Sequence, residues 1–171
     1  PAAAQTAATD IQNAEKYLRD LTTMKAEFIQ TAYNGEQLNG TFYLDRPGKL
    51  RFEYQNIGDF IVADGVFIYF YDAELKEQVN APIGQTLADF ILRKDLSLQG
   101  KITVQKISRK NEFLEITIAE TSDMAAGSVK LFFQEDPYAL HKWQITDAAG
   151  LVTEIKLNNI KTDVDLPARL F

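Results

Sequence analysis

Three tight turn signals, Asn34-Gly35, Pro47-Gly48 and Asp64-Gly65, sit between short runs in which apolar and polar residues alternate. That spacing leaves little choice of fold. Two strands joined by so few residues are antiparallel neighbours, because a parallel crossover needs a dozen residues or more. From Lys25 onward the period is two, which predicts strands at 26–33, 38–45, 49–55, 60–64, 66–72 and 76–81, then at 101–108, 112–120, 128–134, 141–147 and 152–161. Eleven Phe, seven Tyr and one Trp recur through these segments, a composition suited to a pleated, half-buried surface.

Ahead of the strands, Thr9 and Gln12 have capping-box spacing and Asp10 places negative charge at a helix N-terminus, predicting a helix over roughly 10–22. Its apolar face is Ile11, Ala14, Leu18 and Leu21. Residues 1–8 are expected as a flexible lead; Ala2, Ala3 and Ala4 fit both the small-residue tail of a cleaved secretory signal and an ordinary chain end. The stretch 82–96 breaks the two-residue period. There Thr86 and Asp89 resemble a cap and its partner, and Leu87, Phe90, Ile91 and Lys94 predict a helical turn or two that needs a sheet to lie against. With 171 residues, one core and a single domain 1–171 are expected. About eleven strands exceed what an open sheet carries without curling or splitting. The expected class is therefore mainly β with α: a strongly curved antiparallel sheet wrapped around its few helices, open or half-closed like a barrel.

Alternation sorts the strand residues into faces. Leu50, Phe52 and Tyr54 lie opposite Arg51, Glu53 and Gln55; Leu114 and Ile116 lie opposite Glu115 and Thr117; Leu131 and Phe133 lie opposite Lys130 and Gln134, with Phe132 an outward exception. Phe67, Tyr69 and Tyr71 alternate with Ile68 and Phe70, so that strand is apolar on both sides. Such stripes form a packed core or line an apolar cavity of the kind barrel-like sheets enclose. In the second case Leu50, Phe52 and Tyr54 line the interior, and the helix face of Ile11, Leu18 and Leu21 lies over it.

Chemistry is sparse. The net charge of −6, with signs interspersed, offers no basic stripe for nucleic acid. There is no cysteine for a disulfide or thiolate site, and the single histidine, His141, has no acid partner placed by spacing. No phosphate loop, nucleophile elbow or zinc motif occurs. Carboxylate pairs such as Glu74/Glu77 and Asp163/Asp165 arise freely among 24 acidic residues. Neither an enzyme nor a cofactor is expected, and no apolar run is long enough to cross a bilayer.

The run from Gly40 to Tyr54, which includes Arg46-Pro47-Gly48, is followed by Ile61-Val62-Ala63-Asp64-Gly65 and then Tyr69-Phe70-Tyr71-Asp72. With Phe28-Ile29-Gln30-Thr31 upstream and Trp143 through Asp147, Asn159 and Ile160 downstream, this ordered set resembles the periplasmic outer-membrane lipoprotein carriers, the LolA-like family, over about 25–165. The resemblance implies an unclosed antiparallel barrel with a helical lid over an apolar cavity. It also implies a monomeric periplasmic carrier that takes acylated lipoproteins from an inner-membrane ABC transporter complex to an outer-membrane lipoprotein receptor. By motif, Arg46 corresponds to the arginine that latches the lid, and Leu50 and Phe52 fall at cavity-lining positions. The apolar residues expected at cavity and lid are these two with Ile11, Leu18, Leu21, Tyr54, Phe67, Tyr69, Tyr71, Leu87, Phe90, Ile91, Leu114, Ile116, Leu131 and Phe133. The alternatives are the same fold serving another lipid, a sensor of lipoproteins in an envelope regulator, and a non-enzymatic interaction domain with a packed core.

Overall fold

Eleven strands form and pair in one linear order. In the computed structural model, which describes residues 2–85 and 89–171, helix α1 (Ala2–Asp20) precedes β1 (Thr23–Thr31), β2 (Gln37–Asp45), β3 (Lys49–Tyr54), β4 (Phe60–Asp64), β5 (Phe67–Asp72) and β6 (Glu77–Pro82). A 3-10 turn at Ile83–Gln85 and the short helix α2 (Asp89–Leu92) lead to β7 (Ile102–Lys110), β8 (Phe113–Glu120), β9 (Gly127–Glu135), β10 (Tyr138–Asp147) and β11 (Val152–Thr162). The strand order is β6-β5-β4-β3-β2-β1-β11-β10-β9-β8-β7.

That order corrects the expected strongly curved, unclosed barrel with its helical lid. The sheet is open, with β6 at one end and β7 at the other, and only two α-helices accompany it among the described residues. Strand number alone does not curl a sheet into a barrel; its two edge strands must also come into register with each other. Here the edge strands are consecutive in sequence, yet the strand order does not pair them, and the described residues between them include a 3-10 turn and helix α2. Helix α1 also differs from expectation. It begins at Ala2, so Thr9 lies within the helix and residues 2–8 are helical. The alanine-rich lead has the highest intrinsic helix propensity and extends the helix past the capping signal.

The chain divides into two compact units. The first contains α1, residues Thr31–Glu36 and Ser97–Lys156. Its core joins Ala14 and Leu18 of α1 to Leu114, Ile116 and Ile118 of β8, Val129, Leu131 and Phe133 of β9, and Leu140 of β10. Tyr17 meets Phe133 edge-on, with ring centroids 5.9 Å apart. Phe132, on the outward side of β9, is nonetheless buried, because the Lys142 ammonium lies 4.6 Å from its ring centroid and Lys130 lies 5.9 Å away.

One ion cluster fastens α1 within this unit. Asp10, only 3 % exposed, accepts hydrogen bonds from both Arg109 Nη atoms at 2.7 and 3.1 Å. Arg109 also donates from Nε and Nη2 to Glu135 at 2.8 and 2.9 Å, and these bonds hold the Glu135 carboxyl below its ordinary pKa. A depressed carboxylate contributes stability that is fully present above its unfolded pKa and is lost as pH falls through the folded value. Arg109→Ala should therefore lower stability near neutrality and flatten the acid limb of the pH–stability curve. The loss should be about 1–2 kcal/mol, reduced from the cost of breaking a fully buried pair because the Arg109 side chain is 46 % exposed. Urea unfolding from pH 3 to pH 7 measures both effects, and an unchanged acid limb would disprove the assignment.

The second unit comprises Leu21–Gln30, Gln37–Leu96 and Leu157–Phe171. Strands β2 to β6 form a meander whose turns at Gly48 and Gly65 take φ of +88° and +107°, values that favour glycine. Its core includes Met24, Ala26, Phe28, Phe42, Leu44, Leu50, Ala63, Ile68, Leu92 and Leu157.

Candidate binding face and arginine clasp

Register in the second unit builds two apolar rows on one side of the sheet. Leu44 pairs with Leu50, Leu50 with Ala63, Ala63 with Ile68 and Ile68 with Ala81; Phe42 pairs with Phe52, Phe52 with Ile61, Ile61 with Phe70 and Phe70 with Val79. Directly opposed residues share a face, so each row crosses five strands. Aromatic contacts fix the inner end. Phe28 meets Phe52 and Tyr54 edge-on at 5.2 Å each, and Phe42 lies 4.7 Å from Phe52. Exposure then rises along the second row, from buried Phe42 to Phe70 at 39 % and Val79 at 63 %.

At the exposed end, Leu38, Tyr54, Ile61, Phe70, Leu75 and Val79 help to line a groove of about 400 Å³. Tyr54 donates its hydroxyl proton to Gln30 Oε1 at 2.6 Å. Burial, reinforced by the Asp59 carboxylate, pushes the Tyr54 pKa up to about 12. The phenol is therefore neutral at physiological pH, and this wall of the groove carries no phenolate charge.

The expected cavity set is redistributed. Leu50 is buried on this face, and Phe52 and Tyr54 are partly buried beside it. Phe67, Tyr69 and Tyr71 do not join them: Tyr69 pairs with Val62 and Tyr71 with Phe60, which places these three on the opposite face. There Phe60 and Tyr71 stack at 4.9 Å and Arg51 lies over Phe60. Because both sides of β5 are apolar, alternation alone could not select its inward side. Leu18, Leu114, Ile116, Leu131 and Phe133 are buried in the core of the first unit, whereas Leu21 is buried in the second. Ile11 is half-buried on α1, as are Phe90 and Ile91 on α2. Leu87 and Thr86 lie outside the described residues. Phe28, Phe42, Leu44, Ile61, Phe70 and Val79 were not anticipated, although the Asp64-Gly65 turn fixes the register that would align Ile61 with Phe70.

Arg46 stands at the β2–β3 turn with its guanidinium spread over three carbonyls. Nε donates to Ile91 O at 2.6 Å, Nη2 to Arg93 O at 2.9 Å and Nη1 to Leu21 O at 3.2 Å. The backbone repeats these connections, with Arg46 N–H donating to Thr22 O at 2.8 Å and Gly48 N–H to Leu92 O at 2.9 Å. Two of the side-chain acceptors belong to the last turn of α2 and the residue after it, where helical carbonyls lack intrahelical partners. The planar fork suits several fixed acceptors at once, and partial burial lowers the Arg46 pKa. Asp89 pairs with Arg93 across the same short helix. One side chain thus fastens three pieces of chain: the β2–β3 turn, the end of α2 and the segment entering β1.

Among the described residues, no group of three or more His, Cys, Asp or Glu side chains is placed to hold a metal ion, and no helix is long and apolar enough to cross a membrane. The family profile described as "Outer membrane lipoprotein carrier protein LolA" matches residues 19–171. An outer-membrane lipoprotein carrier protein of Legionella pneumophila (strain Paris) is 31 % identical over 177 residues, covering 95 % of this chain and 84 % of its own length. Its counterpart in Methylococcus capsulatus (strain Bath) is 25 % identical over 178 residues, covering 99 % and 85 %. In fold, the chain is similar to an uncharacterized conserved protein from Thermus thermophilus, with a TM-score of 0.56 at 15 % identity over 96 % of this chain and 92 % of that one.

Proposed function

The chain belongs to the outer membrane lipoprotein carrier protein family, LolA, and from that premise we propose that it shuttles acylated lipoproteins with their acyl chains held against the apolar rows of the second unit. The protein is periplasmic, and its family is one of non-catalytic carriers that work with lipoproteins and their transport machinery. In the proposed cycle, cargo arrives from an inner-membrane ABC transporter complex and leaves to an outer-membrane lipoprotein receptor, and the carrier travels as a monomer. The observation that carries this proposal is the graded row from Phe42 to Val79, buried at one end and open at the other.

Energetics favour such a graded surface over a sealed cavity. Three acyl chains contain roughly 45 methylenes, worth about 35 kcal/mol if all were removed from water. Non-covalent affinities saturate near −18 to −21 kcal/mol. A carrier that must also release its load does so from partial enclosure. Native mass spectrometry of the protein purified from its own envelope tests the proposal. Bound acylated polypeptide is the expected result; protein that carries none, and takes none up from inner-membrane vesicles containing the transporter, would refute it.

A further inference from the structure

Strand β6 ends the sheet in the second unit, and its outer edge has no strand partner among the described residues. The phase of its backbone can be read from one bond: Ile83 N–H donates to Val66 O at 3.0 Å, one step beyond the Phe67/Pro82 pair. Hydrogen-bonded and non-bonded pairs alternate along an antiparallel ladder. Ala81, Val79 and Glu77 therefore direct their backbone groups toward β5, while Gln78 and Asn80 direct theirs away from the sheet. Pro82, which has no N–H, falls on the outward phase.

Proteins commonly protect such an edge with bulges and cationic side chains. Strand β7, the other end of the order, has both: a register shift between Val104 and Lys106, and Lys106, Arg109 and Lys110 along its length. Strand β6 has neither, and its one guard is Pro82 at its last position, beyond Gln78 and Asn80. Its residues from Glu77 to Asn80 are exposed, and Val79 stands beside the groove containing Phe70, Ile61 and Leu75. The end of this ladder is acidic: Asp72 and Glu77 oppose one another there, and Glu74 lies in the adjoining turn with one cation, Lys76.

We infer that β6 receives the polypeptide of the acylated cargo as an added strand, while the acyl chains lie along the Phe52–Ile61–Phe70–Val79 row. The inference rests on the acyl-binding function proposed above. Continuity selects this occupant: the row runs outward across β3, β4 and β5 and ends at Val79, on the strand whose Gln78 and Asn80 amides and carbonyls face outward. A polypeptide emerging from lipid held on that row meets those groups first. Main-chain pairing reads no particular sequence, which suits a carrier of many cargoes, and the net negative charge of Asp72, Glu74 and Glu77 around the single cation Lys76 favours a segment bearing lysine or arginine.

The test uses a tripalmitoylated cysteinyl peptide with a Ser-Lys-Lys-Lys-Lys tail, the same lipopeptide methylated on its backbone nitrogens, palmitic acid, and the unacylated peptide at millimolar concentration. On binding the lipopeptide, the Gln78 and Asn80 amides should become protected from hydrogen exchange. The methylated analogue should bind about tenfold more weakly, since a few net backbone hydrogen bonds are lost. Asn80→Pro should abolish that tenfold difference and leave palmitate binding unchanged. The unacylated peptide should protect the same two amides, and replacing its lysines with glutamate should remove the effect. Equal binding of the two lipopeptides, or no protection at Gln78 and Asn80 with either peptide, would overturn the inference. Failure of palmitate and lipopeptide alike to bind would instead overturn the acyl-binding proposal, and the unacylated peptide would still decide the role of the edge.

Discussion

Arg46→Leu is expected to accept acylated cargo but to lose at least nine-tenths of its hand-over to the receptor. The guanidinium bonds three carbonyls at 2.6, 2.9 and 3.2 Å, and leucine makes none of these bonds. We propose that they form a clasp whose closed state drives the chains off the apolar rows, so that a carrier unable to close again retains its load. A charged hydrogen bond contributes about 1.5–3 kcal/mol, and about 1.4 kcal/mol shifts an equilibrium tenfold, so losing one of the three is sufficient. Arg46→Lys keeps the charge without the fork and should fall between leucine and the parent. The backbone bonds from Arg46 and Gly48 to Thr22 and Leu92 remain available in both variants, so the fold should persist. A two-stage assay, scoring uptake from inner-membrane vesicles and transfer to receptor separately, measures the effect. Normal transfer by Arg46→Leu would reduce the residue to a structural tie.

Gly40→Ala should be the most damaging small substitution in the second unit. A Cβ at that position would lie 1.8 Å from Glu53 O and 2.8 Å from Glu53 C, with Phe28 Cε1 at 3.0 Å. The two nearest atoms are backbone, so relief requires β2 and β3 to separate next to the Gly40/Tyr54 pair. Overpacking of this kind costs about 3 kcal/mol or more, which for a chain of this length lowers Tm by about 10 °C. Gly84→Ala is the control: nothing lies within 4 Å of its Cβ, and its φ is not positive, so a neutral or slightly favourable change is expected. Thermal unfolding of the two variants decides the matter, and equal melting temperatures would contradict the close approach at Gly40.

Local geometry was legible in the sequence wherever one residue type has one physical use. Asp64-Gly65 and Pro47-Gly48 mark real turns because glycine supplies their positive φ. The strand at 60–64 came out as read, since Phe60 through Asp64 are bounded by turn residues on both sides. Three features were hidden. The inward side of β5 could not be chosen while Phe67, Tyr69 and Tyr71 competed with Ile68 and Phe70. The cluster of Asp10, Arg109 and Glu135 joins residues too distant in sequence to leave a local pattern. The absence of strong curling was hidden as well, because strand number alone does not decide whether a sheet curls into a barrel. The resemblance around Arg46-Pro47-Gly48 singles out Arg46, but its acceptors at Leu21, Ile91 and Arg93 are too far away in sequence to leave a local pattern.

The strand order also has a consequence in time. Every neighbouring pair in it joins strands consecutive in sequence except β1 and β11. Within the second unit, Asp163 N–H donates to Thr23 O at 3.1 Å and Asn159 Nδ2 to Glu27 at 2.6 Å, linking β1 to residues more than a hundred positions later. Hairpins close in microseconds, whereas contacts so far apart in sequence bear a larger loop-closure entropy. A chain emerging amino-terminus first can therefore assemble its hairpins as they appear, but β1 keeps an unsatisfied side until β11 has emerged. For that interval the nascent protein has an exposed strand edge along Thr23–Thr31, and it depends on speed of completion, or on another protein, to remain unaggregated.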